Sequence, residues 1–317
     1  MEVQNDLSIS ISSYDDESRY DAACKKLLAN KQILARILKT CVKEFKDCDI
    51  KDIEQKYIEG TPEISAVPVH QDVEFVEGMN TEDSSKNEGT VTFDIRFYAY
   101  SPIDNGLIRL IINIEAQNSF NPGYPIVKRG IYYGSRMISS QHGTVFDDQH
   151  YEKIEKVYSI WVCPNPPVTQ RNSIAEYSIG ERVLVGQTEE KAENYDLMSI
   201  ILICLGGSDD INYDGIIKLL DVLLSDRLQP DEKKKVLHDD FDIEMTKELE
   251  SEVAHMCNLS QGVVDRTTER NTVNYVISML KKTDMDMEQC LDIIGIPESQ
   301  WEMYREKIEK KLGLQPA

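Results

Sequence analysis

Asp94 and Glu115 are spaced so that two short carboxylates can converge, and what two carboxylates can do together is hold a hard divalent cation through oxygen. Asp94 lies in a stretch, residues 90–99, where Val91, Phe93, Ile95, Phe97 and Ala99 alternate with Thr90, Thr92, Asp94, Arg96 and Tyr98. A second stretch, 107–117, places Ile108, Leu110, Ile112, Ile114 and Ala116 on one face and Asn113, Glu115 and Gln117 on the other. This period of two, repeated, predicts a β-hairpin, and Ser-Pro-Ile-Asp-Asn-Gly (101–106) supplies the turn. With the turn centred between Ile103 and Asp104, Asp94 faces Asn113 and Glu115 is its diagonal neighbour, ~7–8 Å away at Cα. A slip of one residue would send one carboxylate to the other face, so the matched parity is a test that the sequence passes. An ordinary hairpin with a solvated polar face is the bland alternative. Against it stand Ile111 among the polar-face positions and the run Leu-Ile-Arg-Leu-Ile-Ile-Asn-Ile-Glu, which reads as a strand covered on both faces. Carboxylates at the end of a covered strand need a partner.

Cations for a phosphate are at hand. From Asn118 through Phe146 there is no Asp or Glu, although 56 of the 317 residues are acidic. The window holds Lys128, Arg129, Arg136 and His142 among Tyr124, Tyr132 and Tyr133. On a helix beginning near Pro125, Arg129, Tyr132, Tyr133 and Arg136 share a face. Arg and Lys are the usual phosphate partners, with Tyr hydroxyls adding to them. For Tyr133, packing onto a sheet competes evenly with contact to substrate.

An acidic residue on one strand and Glu-x-Gln on the next resembles the active-site signature of the PD-(D/E)XK nuclease superfamily, with Gln in place of the final Lys. The runs Asn-Glu-Gly-Thr-Val-Thr-Phe-Asp-Ile-Arg-Phe (87–97), Ile-Ile-Asn-Ile-Glu-Ala-Gln-Asn (111–118), Gly-Tyr-Pro-Ile-Val-Lys-Arg-Gly-Ile-Tyr-Tyr-Gly-Ser-Arg-Met-Ile-Ser-Ser-Gln (123–141) and Tyr-Glu-Lys-Ile-Glu-Lys-Val-Tyr-Ser-Ile-Trp-Val-Cys (151–163) resemble the PD-(D/E)XK nuclease family transposases of bacteria, relatives of the recombination-promoting nucleases. The likeness covers roughly residues 20–205, several motifs in order; the bare D…ExQ pattern alone is weak. It implies a metal-dependent DNA endonuclease. Asp94, Glu115 and the backbone carbonyl of Ala116 would hold Mg²⁺, or Mn²⁺, with Glu88 a candidate outer ligand. Gln117 can orient a water through its amide but carries no charge to stabilise a phosphate. Arg129 and Lys128 would steady the scissile phosphate, and Arg129, Tyr133 and Arg136 would contact substrate. Strand transfer is not expected, because no separate integrase-type acidic triad stands out.

The charge of the whole chain opposes DNA. The formal net charge is −21 and the pI about 4.7, so long-range repulsion of phosphate is expected, with weak and salt-sensitive binding through the local basic window. Hydrophobic residues make up 41 %, and no apolar run approaches the ~18 residues of a membrane span. The acidic start lacks the basic n-region of a signal peptide. Seven scattered cysteines without a C-x-x-C fit reduced thiols in a cytoplasm, bacterial as the resembled family is, and argue against zinc.

The elements that must position these residues follow from periodicity. A polar N-terminus (1–17) precedes a helix over about 19–46; in the resembled fold such a helix often contributes an acidic residue, for which Glu44 is the candidate, with a solvated side chain as the bland alternative. Residues 157–163 form a buried strand, Val183-Leu-Val-Gly a further edge strand, and 192–205 a helix. The fold class is α+β, and the element order over 18–207 agrees with what the resemblance implies: a PD-(D/E)XK restriction-endonuclease-like α-β-β-β-α-β core, with a mixed sheet flanked by helices. An α-helical extension occupies 208–317, with helices at about 214–226, 230–256, 266–282, 285–294 and 298–312. The 284–294 segment is acidic, where a DNA-reading helix is basic, so packing or self-association as a homodimer is the expectation for the tail. The rival to the nuclease is a degenerate nuclease fold that binds or assembles without cutting.

Overall fold

A computed structural model describes residues 18–60, 62–64, 82–85, 89–103, 106–117, 120–147, 149–206, 215–224 and 228–312. Two helices, α1 (residues 18–28) and α2 (Lys31–Cys41), stand where one was expected. Asn30 is the reason. Its side chain accepts from the Gln32 N–H at 3.0 Å and caps α2, a role Asn fills better than a helix interior. Leu27, Leu28, Ile33, Leu34, Ile37 and Leu38 are buried, as their helical spacing demands. A short helix, α3 (Ile50–Asp52), follows, capped by Asp49.

The main sheet comprises β1 (Glu63–Ile64), β4 (Ile95–Ile103), β5 (Gly106–Ala116), β6 (Val157–Cys163), β8 (Met198–Cys204) and β7 (Ser173–Ser178), in the order β1-β4-β5-β6-β8-β7. A separate ribbon pairs β2 (Glu82–Ser85) with β3 (Gly89–Thr92). Within the main sheet β5–β6 and β6–β8 are parallel and the other pairs antiparallel. The fold is α+β with a mixed, open sheet. The hairpin expected from alternation is β4–β5, and β5 is covered on both faces: Leu110, Ile111, Ile112, Asn113 and Ile114 are all 0 % exposed. Helix α4 (Ile126–Ser139) connects β5 to β6 and packs on β6 and β8.

Three expectations give way. Residues 198–204 are strand β8, not part of a helix over 192–205. Ile200, Ile201, Leu202 and Ile203 are buried as a continuous apolar run in a parallel strand, and such a run has no period by which to separate strand from helix. The edge strand is β7 rather than Val183–Gly186, where Leu184 and Val185 are exposed outside any strand. The helix expected over 230–256 divides at Asp242, whose left-handed backbone ends α6 (Pro230–Phe241), and α7 (Lys247–Lys282) runs on past 256.

By contact the chain divides into a unit Glu17–Cys257 and a second from Asn258 onward, a division that falls inside α7. The larger unit thus takes in residues beyond 207. Helix α5 (Gly215–Leu224) buries Leu219, Leu220 and Leu223 completely, and the Leu224 carbonyl accepts from the Tyr20 hydroxyl at 3.0 Å. The Gln32 side chain and the Glu244 backbone exchange hydrogen bonds of 2.9 and 2.8 Å, and Arg36 donates to the Phe241 and Asp242 carbonyls. The second unit has its own core of Val276, Cys290, Leu291, Tyr304 and Ile308. There Asp286 and Gln289 form a capping box on α8 (Met287–Ile294), and α9 (Glu298–Leu312) follows the break at Gly295. No helix among the described residues is long and apolar enough to cross a membrane.

Candidate active site

The β4–β5 register sets Ile95 opposite Ile114 and Arg96 opposite Asn113, with Ile103 facing Gly106. Carried one step back, it puts Asp94 directly across from Glu115. The expected turn centre was one residue too early, which made the pair diagonal. The parity survives, because a two-residue change of pairing keeps every side chain on its face. The single strand expected over 90–99 breaks at Phe93-Asp94, between β3 and β4. The break turns Phe93 onto the α4 face, where its ring meets Tyr133 edge-on at 5.3 Å, instead of leaving it beside Ile95.

Asp94 and Glu115 are stitched together through the backbone. The Asp94 N–H donates to Glu115 Oε1 at 3.0 Å, and the Ala116 N–H donates to Asp94 Oδ2 at 3.0 Å. Both lie at the carboxyl end of β5, the edge where open sheets with parallel strands place their ligands. Glu115 is only 3 % exposed. Burial, and then the neighbouring Asp94 charge, hold its carboxyl well above the usual range, although the Asp94 N–H, Arg129 and Asn113 oppose the shift. Burial also raises Asp94, against the pull of Lys25. A buried carboxylate pair kept from easy ionisation has a chemical demand for positive charge.

Arg129 provides part of it from α4. Its Nη2 donates to the Tyr133 hydroxyl at 2.7 Å, and its Nη1 lies 3.4 Å from both Gln117 Oε1 and the Tyr124 hydroxyl. The guanidinium sits 5.0 Å from the Tyr133 ring centroid and 5.3 Å from that of Trp161. Tyr133 therefore packs and orients at once: its ring joins the core of Phe93, Ile111 and Trp161 while its hydroxyl holds Arg129. Gly130 and Gly134 let α4 approach this closely. A Cβ on Gly130 would stand 2.6 Å from Ile200 Cγ2 and 3.1 Å from Trp161 Nε1, and one on Gly134 2.5 Å from Met198 Sδ. A cleft of about 460 Å³ lined by Phe120, Tyr124, Gln170, Tyr177 and Leu202 opens beside the start of α4.

The other expected site residues fare differently. Arg136 is 3 % exposed and donates to the Tyr132 hydroxyl at 3.2 Å, so it serves packing rather than a substrate surface. Lys128 is exposed on α4, outside the Arg129–Gln117–Tyr133 contacts. Glu88 lies outside the described residues. Glu44 belongs elsewhere, accepting from the Tyr158 hydroxyl at 2.5 Å and pairing with Lys156 at 3.3 Å.

Sequence reasoning missed Lys25 and Asp21. Lys25 Nζ lies 2.8 Å from Asp94 Oδ1 and 2.7 Å from Asp21 Oδ2. Burial disfavours the ammonium, yet the two carboxylates outweigh it and hold the amine above its usual range. The sequence carries only the Asp21–Lys25 spacing of four on one helix face, an ordinary surface pairing that does not point to Asp94.

Two buried carboxylates are hard oxygen donors of the kind a divalent ion takes, and here Lys25 pairs with Asp94 Oδ1 while backbone N–H groups donate to Asp94 Oδ2 and Glu115 Oε1. Among the described residues no group of three or more His, Cys, Asp and Glu side chains gathers as a metal cage. No family model, curated protein or solved structure matches the chain.

Proposed function

We propose that the protein is a Mg²⁺-dependent DNA endonuclease of the PD-(D/E)XK type, hydrolysing phosphodiester bonds with water. The observation that carries the reading is the Asp94–Glu115 pair: two buried carboxylates, locked in register at the carboxyl end of β5, with Arg129 held beside them. In this reading Asp94, Glu115 and the Ala116 carbonyl hold the ion. A bound Mg²⁺ lowers the pKa of a ligated water and offsets charge on the attacked phosphate. Gln117 orients the water through its amide. Arg129, fixed by Tyr133, donates to a non-bridging phosphate oxygen, where its planar fork matches the geometry. The aromatic cleft next to Tyr124 offers neighbouring bases a face to stack on.

Nicking of supercoiled plasmid at low salt, with Mg²⁺ and then Mn²⁺, tests this in wild type, Asp94→Ala and Glu115→Ala. Cutting by wild type that falls at least ~100-fold in both variants is expected. The contact of Lys25 with Asp94 favours a second reading, in which the ammonium stands in for the metal and the fold binds without cutting. No cutting by clean wild type would select that reading.

A further inference from the structure

The carboxylate pair has a cation on each side. Arg129 Nη1 lies 3.4 Å from Gln117 Oε1, two residues from Glu115, and Lys25 Nζ lies 2.8 Å from Asp94 Oδ1. Lys25 reaches Asp94 from α1, an element of a different part of the chain, and it is 7 % exposed. Burying an ammonium there costs free energy unless charge compensates it, and Asp94 with Asp21 supply that charge. The burial of Ala23, Cys24, Leu27 and Leu28 fixes α1, so the amine is delivered to this point by packing.

Resting on the nuclease reading, we infer that Lys25 is a catalytic residue of this site with two stations. In the metal-free protein its ammonium neutralises Asp94; when Asp94 ligates a divalent ion, the ammonium stays anchored on Asp21 and donates to the scissile phosphate. The distances allow it. A phosphate oxygen that shared a divalent ion with Asp94 would come beside the carboxylate oxygen that Lys25 now touches. Asp21 is the positioning residue: it shares the amine from the turn below and gives it a place to remain after Asp94 is taken. Lys25 thereby supplies the charge that Gln117 lacks.

The two residues act in opposite senses on metal affinity, which gives the test its sign. Removing the competing amine frees Asp94, so Lys25→Met binds Mn²⁺ about tenfold more tightly by calorimetry while its nicking rate at saturating metal falls ~100-fold. Removing the alternative anchor, Asp21→Asn leaves the amine on Asp94, so Mn²⁺ binds several-fold more weakly. Lys25→Arg, which keeps the charge, restores part of the nicking lost in Lys25→Met. Should Lys25→Met fail to fold, the weakened Mn²⁺ binding of Asp21→Asn, at unchanged thermal midpoint without metal, still reports the inference. Unchanged or weaker Mn²⁺ binding in folded Lys25→Met, or unchanged binding in Asp21→Asn, would overturn it while leaving the nuclease reading intact. A wild type that binds no Mn²⁺ would defeat the nuclease reading, and the inference with it.

Discussion

At the scale of single residues, Glu115 combines near-total burial with a second carboxylate held close by backbone hydrogen bonds. Both carboxyls sit above their usual range, so the folded protein binds these protons more tightly than the unfolded chain does. Ionisation of the pair therefore opposes folding. The penalty is absent well below ~pH 4, grows as pH rises past the unfolded carboxyl range, and levels off once the folded carboxyls ionise. Glu115→Gln should accordingly stabilise the metal-free protein at pH 7 by on the order of 1–3 kcal/mol, the scale of an imperfectly compensated buried polar group. The gain should shrink towards pH 4, and urea melts at the two pH values without metal would show it. A less stable Glu115→Gln at pH 7 would mean the pair is satisfied as it stands. At this scale the sequence was informative where parity governs: the shared face of Asp94 and Glu115 comes from period-2 alternation, Arg129 from a window without acids, and Gln117 only from the family resemblance. Lys25 was hidden because nothing in a helical pattern says which distant carboxylate a lysine will meet.

The elements supply the precision. Helix α4 can hold Arg129 over the pair because Gly130 and Gly134 let it settle against Ile200, Trp161 and Met198. Gly130→Ala pits a helix-propensity gain of at most ~1 kcal/mol against overpacking of typically ~1–3 kcal/mol, and the 2.6 Å approach to a β-branched side chain decides for the clash. The variant should lose about 1 kcal/mol or more in a urea melt and nick more slowly, because α4 and Arg129 move together. A Gly130→Ala protein as stable as wild type would show that α4 shifts freely. Hairpin β4–β5 and strand β6 were legible because alternation and Pro punctuation mark them. The register was missed by one residue at the turn end of the hairpin, where Ile103 faces Gly106. Strand β8 was missed because Ile-Ile-Leu-Ile has no period, and the N-terminal helix was read through Asn30 because the apolar spacing continues across it.

For the molecule as a whole, the edge of the larger unit matters most. A break expected at 207 from the change to helical pattern would strip α5 and α6 from the surface that buries Leu219, Leu220 and Leu223. The chain ended after Cys257 should therefore unfold cooperatively in urea, whereas one ended after residue 206 should lose that transition. Equal cooperativity in both would place the stable boundary at 207 after all. No sequence pattern could have supplied this, since the ties are backbone carbonyls of Leu224, Phe241 and Glu244 receiving Tyr20, Arg36 and Gln32. The net charge of −21 acts at the same scale, opposing long-range attraction of any phosphate backbone.

The most direct measurement of the central claim is calorimetric titration of the protein with Mn²⁺ and Mg²⁺ at pH 7.5, beside Asp94→Asn and Glu115→Asn. Saturable binding of one or two ions by wild type, lost in both variants, is the expected result. Undiminished binding in either variant, or none in wild type, would contradict the assignment of Asp94 and Glu115 as a divalent cation site.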